Sequence, residues 1–167
     1  MSAKTLFLGG ARSGKSRLAQ AAAEALPGAL MYVATATAGD DEMASRIARH
    51  REDRGPRWRT VEVPVALADA IAAGMPAVVL VDCLPLWLSN LMLADHDIDE
   101  ATARLIAAIR AAQHPVLLVS NEVGLGVVPD TPLGRRFRDA AGRLNQQVAA
   151  AVDRVEFVAA GLSMRLK

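Results

Sequence analysis

The sequence predicts an α/β fold in which helices cover both faces of a mostly parallel sheet. Short apolar, β-branched runs alternate along the chain with longer stretches of helical periodicity, and this alternation is typical of parallel sheets. One of these strand runs leads directly into the glycine-rich segment GGARSGKS, residues 9–16, and a helical stretch follows it. Together these observations predict a nucleotide-binding α/β domain.

The individual elements follow from the two periodicities. Five runs are typical of buried strands: TLFLG, LMYVATA, VVLVDC, PVLLVSN and VEFVAA. WRTVEV alternates polar and apolar residues, which predicts a half-exposed edge strand, and VEFVAA-GL-SMRLK predicts an antiparallel hairpin that closes the sheet. Thr131 and Pro132 are suited to capping and starting a long late helix. The helical stretches are KSRLAQAAAEAL, DEMASRIARHRED, ALADAIAAG, PLWLSNLMLAD, DEATARLIAAIRAA and PLGRRFRDAAGRLNQQVAAAV.

Length and composition predict one cytoplasmic domain spanning residues 1–167. The hydrophobic fraction of 52% is that of a packed globular protein, and the net charge of +1 creates no field that would attract nucleic acid or a membrane surface. No apolar run approaches the roughly 20 residues of a membrane-spanning helix, and we expect no leader peptide. The single cysteine, Cys83, cannot form an internal disulfide, which fits a reducing compartment.

The segment GGARSGKS has the spacing G-x-x-x-x-G-K-S of a phosphate-binding loop. Its glycines let backbone N–H groups turn towards phosphate oxygens, Lys15 adds positive charge, and the Ser16 hydroxyl can bind Mg²⁺. The alternative is a glycine-rich turn with an exposed lysine. The predicted nucleotide-binding residues of this segment are Gly9, Gly10, Ala11, Arg12, Ser13, Gly14, Lys15 and Ser16.

A second acidic position supports the same chemistry. Asp82 ends the apolar run VVLVD, where a carboxylate can hold Mg²⁺ directly or through water. The alternative is that Asp82 caps the following helix. We interpret the adjacent Cys83 as a small buried residue rather than a nucleophile, because no basic residue adjoins it.

The phosphate loop alone leaves several classes of protein open. The chain has no N-K-x-D segment, so a regulatory GTPase is excluded. A small-molecule kinase, a nucleotidyl transferase or a compact ATPase with an unknown partner fits the length and the loop.

A basic helical stretch offers a second candidate site. In residues 40–62, helical spacing puts Arg46, His50 and Arg54 on one face. One interpretation is a solvated helix with a surface histidine. The other is a clamp for polyphosphate with a histidine able to attack phosphorus. We expect the other two histidines, His96 and His114, to be loop or surface residues.

Seven ordered blocks give the chain a specific resemblance. The blocks are distributed over residues 9–149: GGARSGKS, YVATA, DDEMASRIARHR, RWRTVE, LVDCLPLWLSNL, SNEVGLGVVP and RRFRDAAGRLNQQVA. In this order they resemble the bifunctional adenosylcobinamide kinase/adenosylcobinamide-phosphate guanylyltransferase family of cobalamin biosynthesis, and the resemblance covers essentially the whole chain.

The resemblance implies a RecA-like phosphate-loop fold and a homotrimer. It also implies two reactions, namely phosphorylation of adenosylcobinamide by ATP or GTP, and transfer of GMP from GTP to the resulting phosphate through a guanylylated histidine. That histidine corresponds to His50. Further nucleotide contacts are implied at Ala34, Thr35, Ala36, Arg51, Glu52, Asp53, Arg54, Glu62 and Asp82.

Two alternatives and one open assignment accompany this interpretation. The chain could be a small-metabolite kinase without transferase activity, or an ATPase regulated by a partner. The segment SNEVGLGVVPD could be a substrate loop or a structural turn, with Glu122 either orienting a substrate hydroxyl or capping the turn.

Overall fold

The part of the chain that the structure describes forms a seven-stranded sheet with an antiparallel edge strand. The computed structural model describes residues 3–36, 55–73 and 77–167. The strand order is β3-β2-β4-β5-β1-β6-β7, in which only β7 runs antiparallel to its neighbour. The strands are β1 (Lys4–Gly9), β2 (Leu30–Ala34), β3 (Trp58–Glu62), β4 (Val78–Asp82), β5 (Val116–Asn121), β6 (Arg154–Ala159) and β7 (Leu162–Arg165).

Helices pack on both faces of this sheet. The described helices are α1 (Lys15–Glu24), α2 (Leu67–Ala72), α3 (Leu84–Leu93), α4 (Ile98–Ala111) and α5 (Pro132–Ala151). Helix α1 belongs to one apolar cluster, and the other four helices belong to a second cluster. Along β4, Val79 and Val81 join the larger cluster, whereas Val78 and Leu80 join the cluster of α1. Both faces of the strand are therefore buried, which explains its uninterrupted apolar sequence.

The two edges of the sheet agree with the predicted elements. Strand β3 is half exposed and, among the described strands, pairs with β2 alone, as the alternating pattern of WRTVEV predicted. Strands β6 and β7 form the predicted antiparallel hairpin. The predicted α/β class with a parallel sheet and a C-terminal hairpin is therefore confirmed. The predicted helix DEMASRIARHRED lies outside the described residues.

Local signals also place the ends of the longest described helix. The Thr131 side-chain oxygen accepts a hydrogen bond from the Gly134 N–H at 3.1 Å, and Pro132 is the first residue of α5. Both features were predicted from the sequence, and they supply a partner for one N–H group that the helix itself leaves unpaired.

The two histidines expected in loops differ in exposure. Both lie in loops, and His96 is exposed as predicted. His114 is only 7% exposed, and among the described residues neither of its ring nitrogens has a hydrogen-bond partner. Burial lowers the pKa of His114. The nearby Ile71 backbone raises this pKa by a smaller amount, because it favours the charged ring.

Candidate active site

The candidate site lies at the carboxyl edge of the parallel strands, where loops from neighbouring strands converge. The phosphate loop joins β1 to α1, and the acidic end of β4 lies two strands away in the order β4-β5-β1. Ligands of open α/β sheets bind at this edge because the loops there leave a crevice.

Close backbone packing explains Gly9 of the phosphate loop, and a left-handed backbone conformation explains Gly14. A side chain at Gly9 would bring its Cβ to 2.3 Å from the Val158 carbonyl oxygen, so no larger residue fits without moving β6. Gly14 has a φ of 94°, and Arg12 has a φ of 54°. These left-handed conformations turn the loop sharply before α1 begins at Lys15. The loop therefore has the strand-to-helix setting that the motif requires.

The turn of the C-terminal hairpin supports the phosphate loop from outside. The Gly161 N–H donates a hydrogen bond to the Ser13 carbonyl oxygen at 2.8 Å. Gly161 itself has a φ of 79°, and the Arg17 guanidinium lies 3.5 Å from its carbonyl oxygen. Sequence reasoning recognised this turn but missed its contact with the loop, because nothing in the local pattern marks that contact.

Lys15 is buried inside the loop rather than exposed to solvent. Lys15 is only 7% exposed, and its ammonium donates a hydrogen bond to the Gly10 carbonyl oxygen at 3.0 Å. Burial lowers the pKa of Lys15, and the Asp82 carboxylate acts in the opposite direction. Because Lys15 is buried, the alternative of a glycine-rich turn with an exposed lysine is wrong. A buried cation is also suited to pair with a phosphate.

Ser16 and Asp82 face a common cavity of about 300 Å³. Asp82 does not cap the next helix, because the N-cap residue of α3 is Cys83 and no side chain among the described residues caps this helix. Its carboxylate instead accepts a hydrogen bond from the Tyr32 hydroxyl at 2.9 Å. The capping alternative is therefore wrong. The cavity is lined by Ser16, Arg17, Gln20, Ala21, Glu24, Tyr32 and Asp82.

Thr35 connects the end of β2 to the start of α3. Its hydroxyl donates to the Cys83 carbonyl oxygen at 2.7 Å and accepts from the Cys83 N–H at 2.9 Å. The Asn90 amide donates to the carbonyl oxygens of Thr35 and Pro64, at 2.8 and 3.0 Å. These bonds fix the backbone that follows Asp82. The polar groups of Thr35 thus serve the framework of the site, and its direct contact with nucleotide stays a prediction.

Two further predicted residues, Ala34 and Glu62, lie in register with Asp82. Ala34 pairs with Asp82 on one side and with Glu62 on the other. Adjacent parallel strands lie about 4.8 Å apart, so these three residues form a row across the edge. Ala34 is buried, Ala36 is half buried and Glu62 is exposed. Their contacts with nucleotide stay predictions, as do the roles of His50, Arg51, Glu52, Asp53 and Arg54, which lie outside the described residues.

Cys83 has the properties of a structural residue. Burial raises the pKa of the Cys83 thiol, and the nearby Asp82 carboxylate adds a smaller effect in the same direction. The resulting pKa is about 11. A thiol with this pKa is almost entirely protonated at neutral pH and is a poor nucleophile. Cys83 is half buried rather than fully buried, and its raised pKa supports the sequence interpretation that it is not a nucleophile.

The loop after β5 borders the phosphate loop. The Glu122 N–H donates to the Gly9 carbonyl oxygen at 3.1 Å, which joins the two segments. The Glu122 carboxylate accepts a hydrogen bond from the Gly124 N–H, and this bond is the turn-capping role predicted as one alternative. Beyond it the loop exposes Leu125, Val127 and Val128 to solvent.

Comparison with known proteins identifies close relatives over nearly the whole chain. A bifunctional adenosylcobalamin biosynthesis protein CobP of Pseudomonas aeruginosa is 49% identical over 98% of this chain and 97% of its own length. Bifunctional adenosylcobalamin biosynthesis proteins CobU of Salmonella typhimurium and Escherichia coli are 40% and 43% identical, each over 97% of this chain and 98% of their own length.

A solved structure and a family model were also matched. The P4 protein of bacteriophage phi6 in complex with ADP aligns with 97% of this chain and 52% of its own, at 14% identity and a TM-score of 0.49. The model of the family described as cobinamide kinase / cobinamide phosphate guanyltransferase matches residues 5–166. This chain, with its phosphate loop and neighbouring strand-end carboxylate, therefore belongs to the cobinamide kinase / cobinamide phosphate guanyltransferase family.

Proposed function

We propose that this chain carries out both reactions of its family on one domain of residues 1–167. In the first, ATP or GTP phosphorylates the aminopropanol hydroxyl of adenosylcobinamide. In the second, GMP passes from GTP to that phosphate, giving adenosylcobinamide-GDP and pyrophosphate. The observation that carries this proposal is a complete phosphate loop beside Asp82 in a chain that matches the family over residues 5–166.

The kinase reaction uses the phosphate loop. Backbone N–H groups of the loop and the Lys15 ammonium bind the phosphates, and the positive end of α1 adds to their field. The substrate hydroxyl oxygen forms a bond to the γ-phosphorus while the bond between that phosphorus and the β–γ bridging oxygen breaks. ADP or GDP leaves, and the hydroxyl proton is released to solvent. Burial of Lys15 keeps its charge away from water, where it acts most strongly on the transferred group.

The donor set at this site fits Mg²⁺. Ser16 and Asp82 offer a hydroxyl and a carboxylate oxygen at one cavity, and these hard ligands suit Mg²⁺. Among residues 3–36, 55–73 and 77–167 no group of three or more His, Cys, Asp or Glu side chains could hold a metal alone. Such a site fits an ion that takes its other ligands from phosphate and water. When bound, Mg²⁺ neutralises charge on the phosphates.

We assign the guanylyl transfer to His50, on the strength of the family resemblance. A nitrogen of its imidazole forms a bond to the α-phosphorus of GTP while the bond to pyrophosphate breaks. A phosphate oxygen of adenosylcobinamide-phosphate then displaces the imidazole, which restores His50. Arg51 and Arg54 follow His50 closely in the sequence. We assign to their positive charges the role of balancing the negative charge of the phosphates. Two displacements let one nucleotide site serve attack at both the γ- and the α-phosphorus.

A homotrimer in the cytoplasm completes the proposal. The outer edge strand β7 exposes all of its residues, and Leu162, Met164 and Leu166 are 76%, 60% and 58% exposed. An exposed apolar edge of this kind favours burial against another subunit. The free thiol of Cys83 fits a reducing compartment. In the part of the chain that the structure describes, no helix has the length and apolar character needed to cross a membrane.

Product analysis tests the function directly. The protein is incubated with adenosylcobinamide, ATP and α-labelled GTP, and we expect adenosylcobinamide-GDP together with acid-labile label on the protein. His50→Asn should lose the label on the protein and the product adenosylcobinamide-GDP, but should still phosphorylate adenosylcobinamide. The control His96→Asn changes an exposed loop histidine and should behave as wild type.

Other outcomes identify the alternatives. A wild-type reaction that stops at adenosylcobinamide-phosphate would indicate a kinase without transferase activity. Nucleotide turnover that does not depend on adenosylcobinamide would indicate a partner-regulated ATPase. Label retained by His50→Asn would place the nucleophile at another residue.

A further inference from the structure

The hydrogen bond between Tyr32 and Asp82 joins two strands beneath the phosphate site. Tyr32 on β2 lies opposite Leu80 on β4, so Asp82 is two residues further along the same face. The tyrosine side chain spans this diagonal, and its hydroxyl lies 2.9 Å from Oδ2 of Asp82. A carboxylate that accepts a bond at one oxygen can no longer rotate freely, so the other oxygen has a defined direction.

The ring of Tyr32 is itself fixed by contacts on its other side. It meets the Trp58 ring edge to face, with 6.2 Å between centroids and 77° between planes. The Trp58 indole N–H donates to Oε1 of Glu24 at 3.0 Å, and the Gln20 amide donates to the same oxygen at 2.9 Å. The hydrogen bond from Gln20 and, to a smaller extent, that from Trp58 lower the pKa of Glu24. The ionised carboxylate therefore accepts both hydrogen bonds.

These contacts form a continuous path from α1 to the end of β4. Glu24 and Gln20 belong to α1, whose amino-terminal turn carries Ser16. Trp58 and Tyr32 carry the connection across β3 and β2 to Asp82. The two oxygen donors of the proposed metal site, on α1 and β4, are thus held relative to each other by side chains as well as by the sheet. We define the set Gln20, Glu24, Trp58 and Tyr32 as the Tyr32 support.

We propose that Tyr32 is a positioning residue for the metal-binding carboxylate of Asp82, held in place by the rest of the Tyr32 support. The inference rests on the proposed function, which assigns Mg²⁺ to Ser16 and Asp82. Tyr32 is 9% exposed and shares the cavity that Ser16 and Asp82 line, so it contacts the metal-binding side chain without being needed as a ligand itself. Second-sphere hydrogen bonds of this type commonly tune metal affinity by about 10- to 100-fold.

The test separates metal binding from nucleotide binding. The affinity of Tyr32→Phe for a fluorescent GTP analogue is measured in EDTA and across a Mg²⁺ titration. We expect the affinity in EDTA to stay within about twofold of wild type, and the Mg²⁺ concentration for half-maximal enhancement to rise about tenfold. The control Thr102→Val removes a buried hydroxyl from α4 on the other face of the sheet and should move neither quantity.

A double-mutant cycle links the effect to Asp82. Asp82→Asn should shift the Mg²⁺ titration at least as far as Tyr32→Phe, and adding Tyr32→Phe to Asp82→Asn should shift it little further, because the tyrosine acts through that carboxylate. Trp58→Phe keeps a ring beside Tyr32 but removes the N–H bond to Glu24. It should shift the titration in the same direction by a smaller factor, and it serves as the test if Tyr32→Phe fails to fold.

The possible failures are distinguishable. If Asp82→Asn shifts the titration and neither Tyr32→Phe nor Trp58→Phe does, the inference is overturned and the metal assignment stands. If Asp82→Asn leaves the titration unchanged, the assignment of Mg²⁺ to Asp82 fails and the inference fails with it. If Tyr32→Phe weakens binding equally in EDTA and in Mg²⁺, Tyr32 has a general structural role and the inference is overturned.

Discussion

The contact between the hairpin turn and the phosphate loop can be tested with two matched glycine substitutions. Gly161 and Gly28 have φ values of 79° and 97°, a region in which side-chain-bearing residues are strained. A Cβ at Gly161 would meet nothing closer than the Arg17 guanidinium at 3.6 Å, and a Cβ at Gly28 would meet nothing within 4 Å. Alanine at either position therefore introduces backbone strain without a steric clash.

The difference between the two variants comes from their positions. Left-handed backbone costs about 1–2 kcal/mol for alanine, and reduced freedom of the unfolded chain offsets about 0.4–1 kcal/mol of this. Each variant should lose about 1 kcal/mol of unfolding free energy, or about 2–4 °C in Tm. Gly28 precedes β2 and therefore lies at the amino ends of the parallel strands, whereas the phosphate loop lies at their carboxyl ends. The Gly161 N–H, in contrast, donates a hydrogen bond to the Ser13 carbonyl oxygen of that loop.

Nucleotide affinity is the deciding measurement. Relief of strain in Gly161→Ala would rotate the turn and weaken the bond to Ser13. A hydrogen bond contributes about 0.5–1.5 kcal/mol net, so Kd for GTP should rise roughly two- to tenfold. Gly28→Ala should lose similar stability and keep its affinity. Equal affinities for the two variants, measured by titration calorimetry below both Tm values, would refute the proposed support of the loop by the turn.

Three further predictions concern single side chains. Lys15→Ala should abolish phosphorylation of adenosylcobinamide and weaken nucleotide binding, because it removes the buried cation of the loop; near-normal turnover in a steady-state assay would contradict the loop assignment. Asn145→Ala should lower the unfolding free energy by about 2–3 kcal/mol in urea titrations, since it leaves the buried Ser120 hydroxyl and the Asn121 carbonyl without their partner; a loss below about 0.5 kcal/mol would show that these groups find other partners. The lowered pKa of His114 means that the unfolded chain binds a proton first as pH falls below about 6.5, so stability should decrease there. His114→Leu should reduce that decrease in Tm between pH 8 and pH 5.5, and an unchanged pH dependence would exclude this histidine as its source.

Local sequence patterns were sufficient to predict the described strands and helices and the position of the phosphate loop beside Asp82. The phosphate loop could be predicted because its glycines, Lys15 and Ser16 act through one strand, one turn and one helix that are contiguous in the chain. Asp82 could be predicted because a carboxylate ending an apolar run must appear at the carboxyl edge of a parallel sheet. The hairpin and the edge strand β3 followed equally from their alternating or interrupted patterns.

Only the tertiary structure decided how these parts are held together. Tyr32 and Asp82 are 50 residues apart, and their hydrogen bond depends on the register between β2 and β4. The contact of Gly161 with Ser13 and the bonds of Thr35 to Cys83 likewise join segments distant in sequence. Periodicity reports which face of an element is buried, whereas strand register and the approach of two loops depend on packing of the whole sheet. The sequence by itself therefore predicted the groups that we propose to bind the phosphates, and the packed fold determined which side chains hold those groups in position.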